Sequence, residues 1–456
     1  MRQPTTRLQV SGHRFLVRRM CHALVRGDAR MLDDPLRAQS LSLLVGAVLT
    51  VAGVVVCAVI AMVRPASDIG DAPVVVVRET GTLYVRVADT LHPVLNLASA
   101  RLITGRADTP REVSQAAVDA QARGAVMGIP GAPQRLSPSL PAESVMLCDE
   151  DGRTTLIAGL STPAVTPPSA PLLVTPRGAG PALTYLLYGG RRARVDLRHP
   201  AVVRALRLDG VTPRPVSAAV LAALPEAPAV VPPQIPDRGS PGPGPLRDHP
   251  VGTVVAVSGA HGQFVVLAGG LQRIGEVTAD LIRYTDAHAG AAPATVAPDV
   301  LGSIPVVDTL PVTTYPERAG TASARVVCAR WQARPDDAGI RSAVVVADAT
   351  PASGAALAQA DDTGPAVDRV AVSRGGVVLV RSVALGDEPA EGAGPLFLLA
   401  DSGALFGVES PDAATRLGLD PPGSPVPWVF LAGLPRGADL SVRAASTVRD
   451  VVVAGS

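Results

Sequence analysis

Leu41-Ser-Leu-Leu-Val-Gly-Ala-Val-Leu-Thr50-Val-Ala-Gly-Val-Val-Val-Cys57-Ala-Val-Ile60-Ala-Met-Val63 is an unbroken apolar run of 23 residues with no charged side chain. As a helix it reaches about 35 Å, enough to cross a hydrocarbon core of about 30 Å. It starts only after residue 40. It also exceeds the about 7–15 residues of a secretory h-region, and no convincing small-x-small cleavage site follows. It therefore reads as an uncleaved anchor, a transmembrane helix from Leu41 to Val63.

The flanking charge sets an expected orientation. Residues 1–40 carry Arg2, Arg7, Arg14, Arg18, Arg19, Arg26, Arg30 and Arg37 against Asp28, Asp33 and Asp34, a net of +5, whereas residues 41–456 sum to −4. Arginine beside a span is retained in the cytoplasm, which puts the N-terminus inside and the large C-terminal region in the periplasm of a single-pass inner-membrane protein. A near-neutral body has no basic stripe to neutralise phosphates, which argues against a nucleic-acid partner.

About 390 residues follow the anchor, room for roughly two to five domains. Aromatic residues make up only 3 % of the chain, so its cores are built from Val, Leu and Ala, and short Val-rich runs favour strands. The chain contains 44 Pro and 44 Gly, which implies many turns and several linkers. It has no lysine at all, and this removes both the phosphate-gripping Lys of a P-loop and any Schiff-base Lys. Of four cysteines, Cys21 lies in the head and Cys57 in the span. Cys148 and Cys328 are the two on the oxidising side and make a natural disulfide pair, two buried thiols being the other reading.

The head reads as a basic amphipathic helix from about Ser11 to Arg30, with Leu16, Met20 and Leu24 on one face and Arg14, Arg18, His22 and Arg26 on another. Such a helix either rests on the anionic leaflet or docks onto a cytoplasmic partner, the latter through Arg14, Phe15, Arg18 and Arg19. Asp34-Pro35 looks like an N-cap and first helical residue, starting the membrane helix ahead of its apolar run.

Beyond the anchor one frame recurs: a strand–turn–strand, a short helix, a (Thr/Pro)-Val-(Ser/Pro/Ala) element, then a closing Leu-Pro step. The second copy carries Leu183 to Tyr188, Gly189-Gly190, Pro215-Val216-Ser217 and Leu224-Pro225; the fourth carries Leu396 to Leu399, Pro425-Val426-Pro427 and Leu434-Pro435. Weaker copies hold Glu112-Val113-Ser114 and Thr295-Val296-Ala297, and depart from the closing pattern at Gln121-Ala122 and Val306-Val307. In all four, eight residues separate the Val from the closing position (Gln121, Leu224, Ile304, Leu434). These read as true repeats, ordinary hairpin–helix pieces of one large fold being the bland alternative.

The expected fold is α+β: one N-terminal transmembrane helix, then an elongated exterior of four hairpin–helix repeats around a central, mainly-β domain. The boundaries follow the sequence: head 1–40, span 41–63, linker 64–80, first repeat 81–135, first central segment 136–180, second repeat 181–238. A linker at 239–250 holds Ser240-Pro-Gly-Pro-Gly-Pro245 and reads as exposed. The third repeat spans 251–318, the second central segment 319–393, the fourth repeat 394–450 and the tail 451–456.

The head Arg2-Gln-Pro-Thr-Thr-Arg7-Leu-Gln-Val-Ser-Gly-His13-Arg14-Phe15, the span behind it, Leu83-Tyr84-Val85, Pro215-Val216-Ser217, Pro425-Val426-Pro427-Trp428 and the two-cysteine exterior together resemble the EccB family of type VII (ESX) secretion systems over essentially the whole chain. The resemblance implies a structural subunit of an inner-membrane protein-export complex. Its implied partners are an FtsK/SpoIIIE-like ATPase, a multi-pass channel subunit, an EccE-type subunit, a mycosin protease and further copies of itself. Family members have been labelled ATPases, but no Gly-x4-Gly-Lys-(Ser/Thr) stretch occurs here. ATP hydrolysis and peptidoglycan binding stand as the rival functions. No cofactor is expected. The seven His have no metal-ligand spacing, and Asp149-Glu150-Asp151-Gly152 reads as a hairpin turn rather than a calcium loop. Trp331 and Trp428 read as core anchors.

Overall fold

The computed structural model describes residues 6–27, 35–63, 69–136, 139–160, 164–178, 183–259, 261–285, 292–334, 341–362, 366–386 and 394–449. It divides into two units, residues 1–68 and 69–456.

The first unit contains helix α1 (Arg7–Arg26) and helix α2 (Pro35–Val63). α1 begins at Arg7 rather than Ser11 because Gln9 reaches back to accept the Thr6 N–H at 3.1 Å. It ends at Arg26 because Gly27 adopts φ +67° and donates its N–H to the Ala23 carbonyl at 2.9 Å. α2 starts at Pro35, six residues ahead of Leu41, as the proline implied; the Asp34 cap itself falls outside the described residues. Its 29 residues give a rod of about 43 Å.

The second unit is built on five small sheets among the described residues. Four of them have the same order, with the first strand in the middle, antiparallel to the second and parallel to the fourth, and the third strand beyond the second. In the first sheet the strands are Val74–Val77, Leu83–Val87, Thr90–Val94 and Arg111–Val113; in the third, Val254–Val257, Gln263–Leu267, Gly270–Ile274 and Ala294–Val296. The second uses Leu172–Pro176, Tyr185–Tyr188, Arg191–Arg194 and Arg214–Val216, with a fifth short strand, Glu226–Ala227, parallel to and beyond the third; the fourth uses Val377–Val383, Leu396–Ala400, Leu405–Val408 and Ser424–Pro427. Val113, Val216, Val296 and Val426 all lie on the fourth strand of their sheets and are buried. The closing position also recurs. The carbonyls of Ala122, Pro225, Pro305 and Pro435 accept from the third-strand N–H groups of Leu91, Arg192, Leu271 and Leu405, each at 2.9 Å. A backbone carbonyl makes this bond, so Gln121-Ala122 fills the position without a Leu-Pro pair.

Three of the first strands lie outside the stretches the sequence suggests. Val74–Val77 falls in 64–80, read as a linker, and Leu172–Pro176 and Val377–Val383 fall in stretches read as central. Each is flanked by strands on both sides and buried on both faces, so it lacks the alternation that marks a half-exposed strand. The stretch 239–250 is not a free linker either. Gly244–Leu246 forms a turn of 3-10 helix that buries Leu246 against Val255, Val266 and Val300.

A helix between the third and fourth strand follows in each of these sheets: α3 (Leu97–Thr104), α4 (Pro200–Leu206), α5 (Glu276–Thr285) and α6 (Pro411–Leu417). Asn96 and Ser410 cap α3 and α6 by accepting from Ser99 N–H at 2.9 Å and Ala413 N–H at 3.1 Å. The helices pack in pairs. Ala98 and Leu102 of α3 meet Ala414 and Leu417 of α6 in one core; Val202 and Leu206 of α4 meet Val277 and Leu281 of α5 in another.

The fifth sheet is central, with Ser144–Glu150 between Arg153–Ala158 and Val326–Gln332. Ser342–Ala347 lies outside the latter, and Arg369–Ala371 with Ala355–Ala356 lies beyond Arg153–Ala158. One face presents Leu147, Leu156, Ala329 and Trp331 to Val220, Leu221 and Phe430, joining the second and fourth sheets in one core. Trp331 is fully buried and its indole N–H donates to the Pro425 carbonyl at 3.1 Å, an anchor in the literal sense; Trp428 is half-buried, 5.5 Å from Phe397. Trp331→Ala should lower unfolding free energy by about 3–5 kcal/mol, read from urea denaturation followed by circular dichroism.

Candidate functional site

Cys148 and Cys328 face each other across two antiparallel strands and are joined by a disulfide that spans 180 positions of sequence. Both are fully buried, among Met146, Ile157, Val326 and Val345 on the face away from Trp331. The next residue, Asp149, points to the other face and is also fully buried. Its Oδ2 meets Arg177 Nη2 at 2.5 Å and accepts the Ser217 N–H at 2.9 Å, and Arg214 Nη2 lies 3.6 Å from Oδ1. Arg177 also donates to the Gly152 carbonyl at 2.7 Å, so one carboxylate fastens the central sheet to the second. Asp149 was legible only as a member of a polar turn. The signal that could have found it was its place next to a cysteine on a strand whose alternate residues are apolar.

The remaining junctions are also held by arginine. Arg101 donates to the Leu417 carbonyl at 2.7 Å; the Arg449 guanidinium donates to the Gly128 carbonyl at 3.1 Å and its backbone N–H to that of Val126 at 2.8 Å, closing the fourth sheet's tail onto the first. Between the second and third sheets Arg207 pairs with Glu276 at 2.5 Å, and Arg204 lies 4.6 Å from the Tyr284 ring centre. Burial raises the Asp280 carboxyl pKa against the opposing pull of Arg283. Among the described residues no group of three His, Cys, Asp or Glu side chains is arranged to hold a metal ion.

The N-terminal sites lie on the two helices of the first unit. Arg14, Phe15, Arg18 and Arg19 are all exposed on α1, which carries no acidic residue. Arg14 and Arg18 share a face at i, i+4, and Phe15 with Arg19 share the neighbouring one. The apolar face is equally uncovered: Leu16, Met20 and Leu24 are exposed, Leu24 by 84 %. On α2 the 21 residues Gln39–Val59 are long and apolar enough to span a membrane, and none of them is buried by the rest of the chain. Leu41 is exposed at the start of that stretch, and the helix runs on to Val63.

Comparison with known proteins gives one consistent picture. A family model described as "Type VII secretion system ESX-1, transport TM domain B", of the EccB family, matches residues 2–454. The "ESX-3 secretion system ATPase EccB3" of Mycolicibacterium smegmatis is 37 % identical, over 98 % of this chain and 91 % of that protein. The "ESX-5 secretion system ATPase EccB5" of Mycobacterium tuberculosis is 34 % identical, over 96 % of this chain and 92 % of that one. Among solved structures, a chain of an intact ESX-5 inner membrane complex aligns with TM-score 0.70 and 30 % identity, covering 100 % of this chain and 98 % of that chain. An EccB3 dimer from the ESX-3 core complex aligns with TM-score 0.71 and 33 % identity, covering 83 % and 100 %.

The centre of the molecule sets two expectations for stability. Asp149→Ala leaves Arg177 half-sealed without its partner and should cost about 3–5 kcal/mol, measured by chemical denaturation. Cys328→Ser should cost about 2–4 kcal/mol under oxidising conditions and nothing further once the wild type is reduced.

Proposed function

The chain belongs to the EccB family of type VII secretion proteins, and on that premise we propose that it is a structural, membrane-anchored subunit of an ESX export complex, organising the side of the inner membrane that faces away from the cytosol. The observation that carries the reading is a whole-chain likeness to a chain of an intact ESX-5 inner membrane complex, joined to an apolar helix that its own chain leaves uncovered. The arginines of α1, a helix whose own sequence holds no acidic residue, support a cytoplasmic head.

In this reading the head docks inside through Arg14, Phe15, Arg18 and Arg19. The span packs beside a multi-pass channel subunit, an FtsK/SpoIIIE-like ATPase and an EccE-type subunit, with a mycosin protease on the far side. These partners come from the family resemblance. The dimeric EccB3 relative favours self-association as well. The four like-ordered sheets are copies of one hairpin–helix unit set around the central sheet. The shared strand order, the buried valine on each fourth strand and the recurrent carbonyl bond nine positions after it support this.

The word ATPase in the relatives' names suggests a second reading. A chain without lysine has no side chain to reach the outer phosphates in the P-loop manner, and we assign it no hydrolytic step.

Protease added to intact spheroplasts should digest residues 69–456 and spare an epitope ahead of Leu41; digestion of the epitope with survival of the bulk would reverse the topology. Purified full-length protein should release phosphate from ATP no faster than a heat-denatured sample. Detergent extraction should bring down a multi-pass membrane partner with it, and sedimentation with purified peptidoglycan should leave it in the supernatant.

A further inference from the structure

We propose that the outer edge of the central sheet at Val344 is a docking groove for an extended, acidic segment of a partner protein. Such a partner would meet the exterior region, and its setting rests on the scaffold reading.

Ser342–Ala347 is the outermost strand on its side of the central sheet, so its backbone groups point alternately toward Val326–Gln332 and away from it. Val346 spends its outward pair on Thr166, accepting at 3.1 Å and donating at 2.8 Å. That antiparallel register sets position 168 across from Val344. Position 168 is a proline, with no N–H to give, and position 167 is another. Pairing therefore stops, and the N–H and C=O of Val344 turn outward with no partner among the described residues. At the far end of the gap the Gly189-Gly190 turn closes against the strand. A Cβ on Gly190 would lie 2.0 Å from the Ser342 carbonyl oxygen, so only glycine fits there.

The gap opens into a groove of about 740 Å³, room for several residues of extended chain. Pro167, Pro171, Tyr188 and Tyr315 give it stiff apolar walls. The Tyr188 hydroxyl is fixed on the Thr314 carbonyl at 2.7 Å, and burial pushes its pKa up to about 12. Arg191, Arg318 and Arg330 also line the groove, and among the described residues none of them forms an ion pair. The Arg330 Nε is buried with no hydrogen-bond partner. Glu317 is the one acid in the lining. Arg192, one position from Arg191, is by contrast paired with Glu226 at 3.0 Å. Unpaired guanidinium groups beside an open sheet edge favour an occupant with a backbone to add and carboxylates to offer.

The test uses the full-length protein in detergent and a fluorescein-labelled heptapeptide of alternating Glu and Val, followed by anisotropy. Saturable binding is expected, weakened by about 0.5 M salt. It should be lost when the central residue is proline and should fall about tenfold with Arg318→Glu. Arg318 is exposed, so that variant should melt like the wild type. No saturable binding, equal binding of a Lys-Val heptapeptide, unchanged affinity in Arg318→Glu, or displacement by a muropeptide would each overturn the groove. Failure to copurify with membrane partners would instead strike the scaffold reading and leave the peptide result standing.

Discussion

Seven residue pairs between Ser144–Glu150 and Val326–Gln332 hold together two stretches of chain that are 180 positions apart, and the disulfide sits in the middle of them. The second and fourth sheets are arranged from that ladder. On one face it supplies Leu147, Ala329 and Trp331, on which the second and fourth sheets settle. Beside the disulfide, Asp149 reaches across to Arg177 and Ser217. An unpaired buried carboxylate is costly, so this contact fixes an orientation as much as it adds stability. Covalent linkage, strand pairing and a sealed ion pair act within two consecutive residues. Loosening that point would free the second sheet from the central one.

Much of this was legible in the residues. A helix long and apolar enough to span was readable from 23 uncharged apolar positions, and the disulfide from the two cysteines beyond it. The constant spacing from Val113, Val216, Val296 and Val426 to a closing step was visible, and the fold gives it a backbone meaning, since a carbonyl next to that position bonds the third strand in every sheet. Val74–Val77 and Val377–Val383 were misplaced because a strand buried on both faces has no period to read. The loops after them break the local pattern as well. Tertiary pairing at long range, such as Asp149 with Arg177, leaves no mark on spacing, and only a polar residue out of place on an apolar strand hints at it.

The absence of lysine shapes the junctions. Arginine can fork to a carbonyl, stack on a ring and pair with a carboxylate, and here it does all three: Arg101 on Leu417, Arg204 over Tyr284, Arg207 on Glu276. With aromatic side chains so few, planar guanidinium groups cover edges that rings would otherwise fill. Arg436, 4.6 Å from the Trp428 ring centre and 5.0 Å from that of Phe397, is the clearest instance.

The pairing of α3 with α6, and of Met127 with Val448, has a consequence for biosynthesis. A ribosome delivers the chain in order, so the second and third sheets can close on each other as soon as both have emerged. The first sheet is made earliest, yet in the core that holds Ala98 and Leu102 only Ile129, Ala132 and Leu136 come from nearby sequence, and the rest waits for the fourth sheet, α6, Leu440 and Ala445. The oldest stretch of the larger unit waits, half-dressed, for the newest. A nascent or truncated chain therefore carries an open apolar face at its beginning, and a helper that shields new chains would find its purchase there.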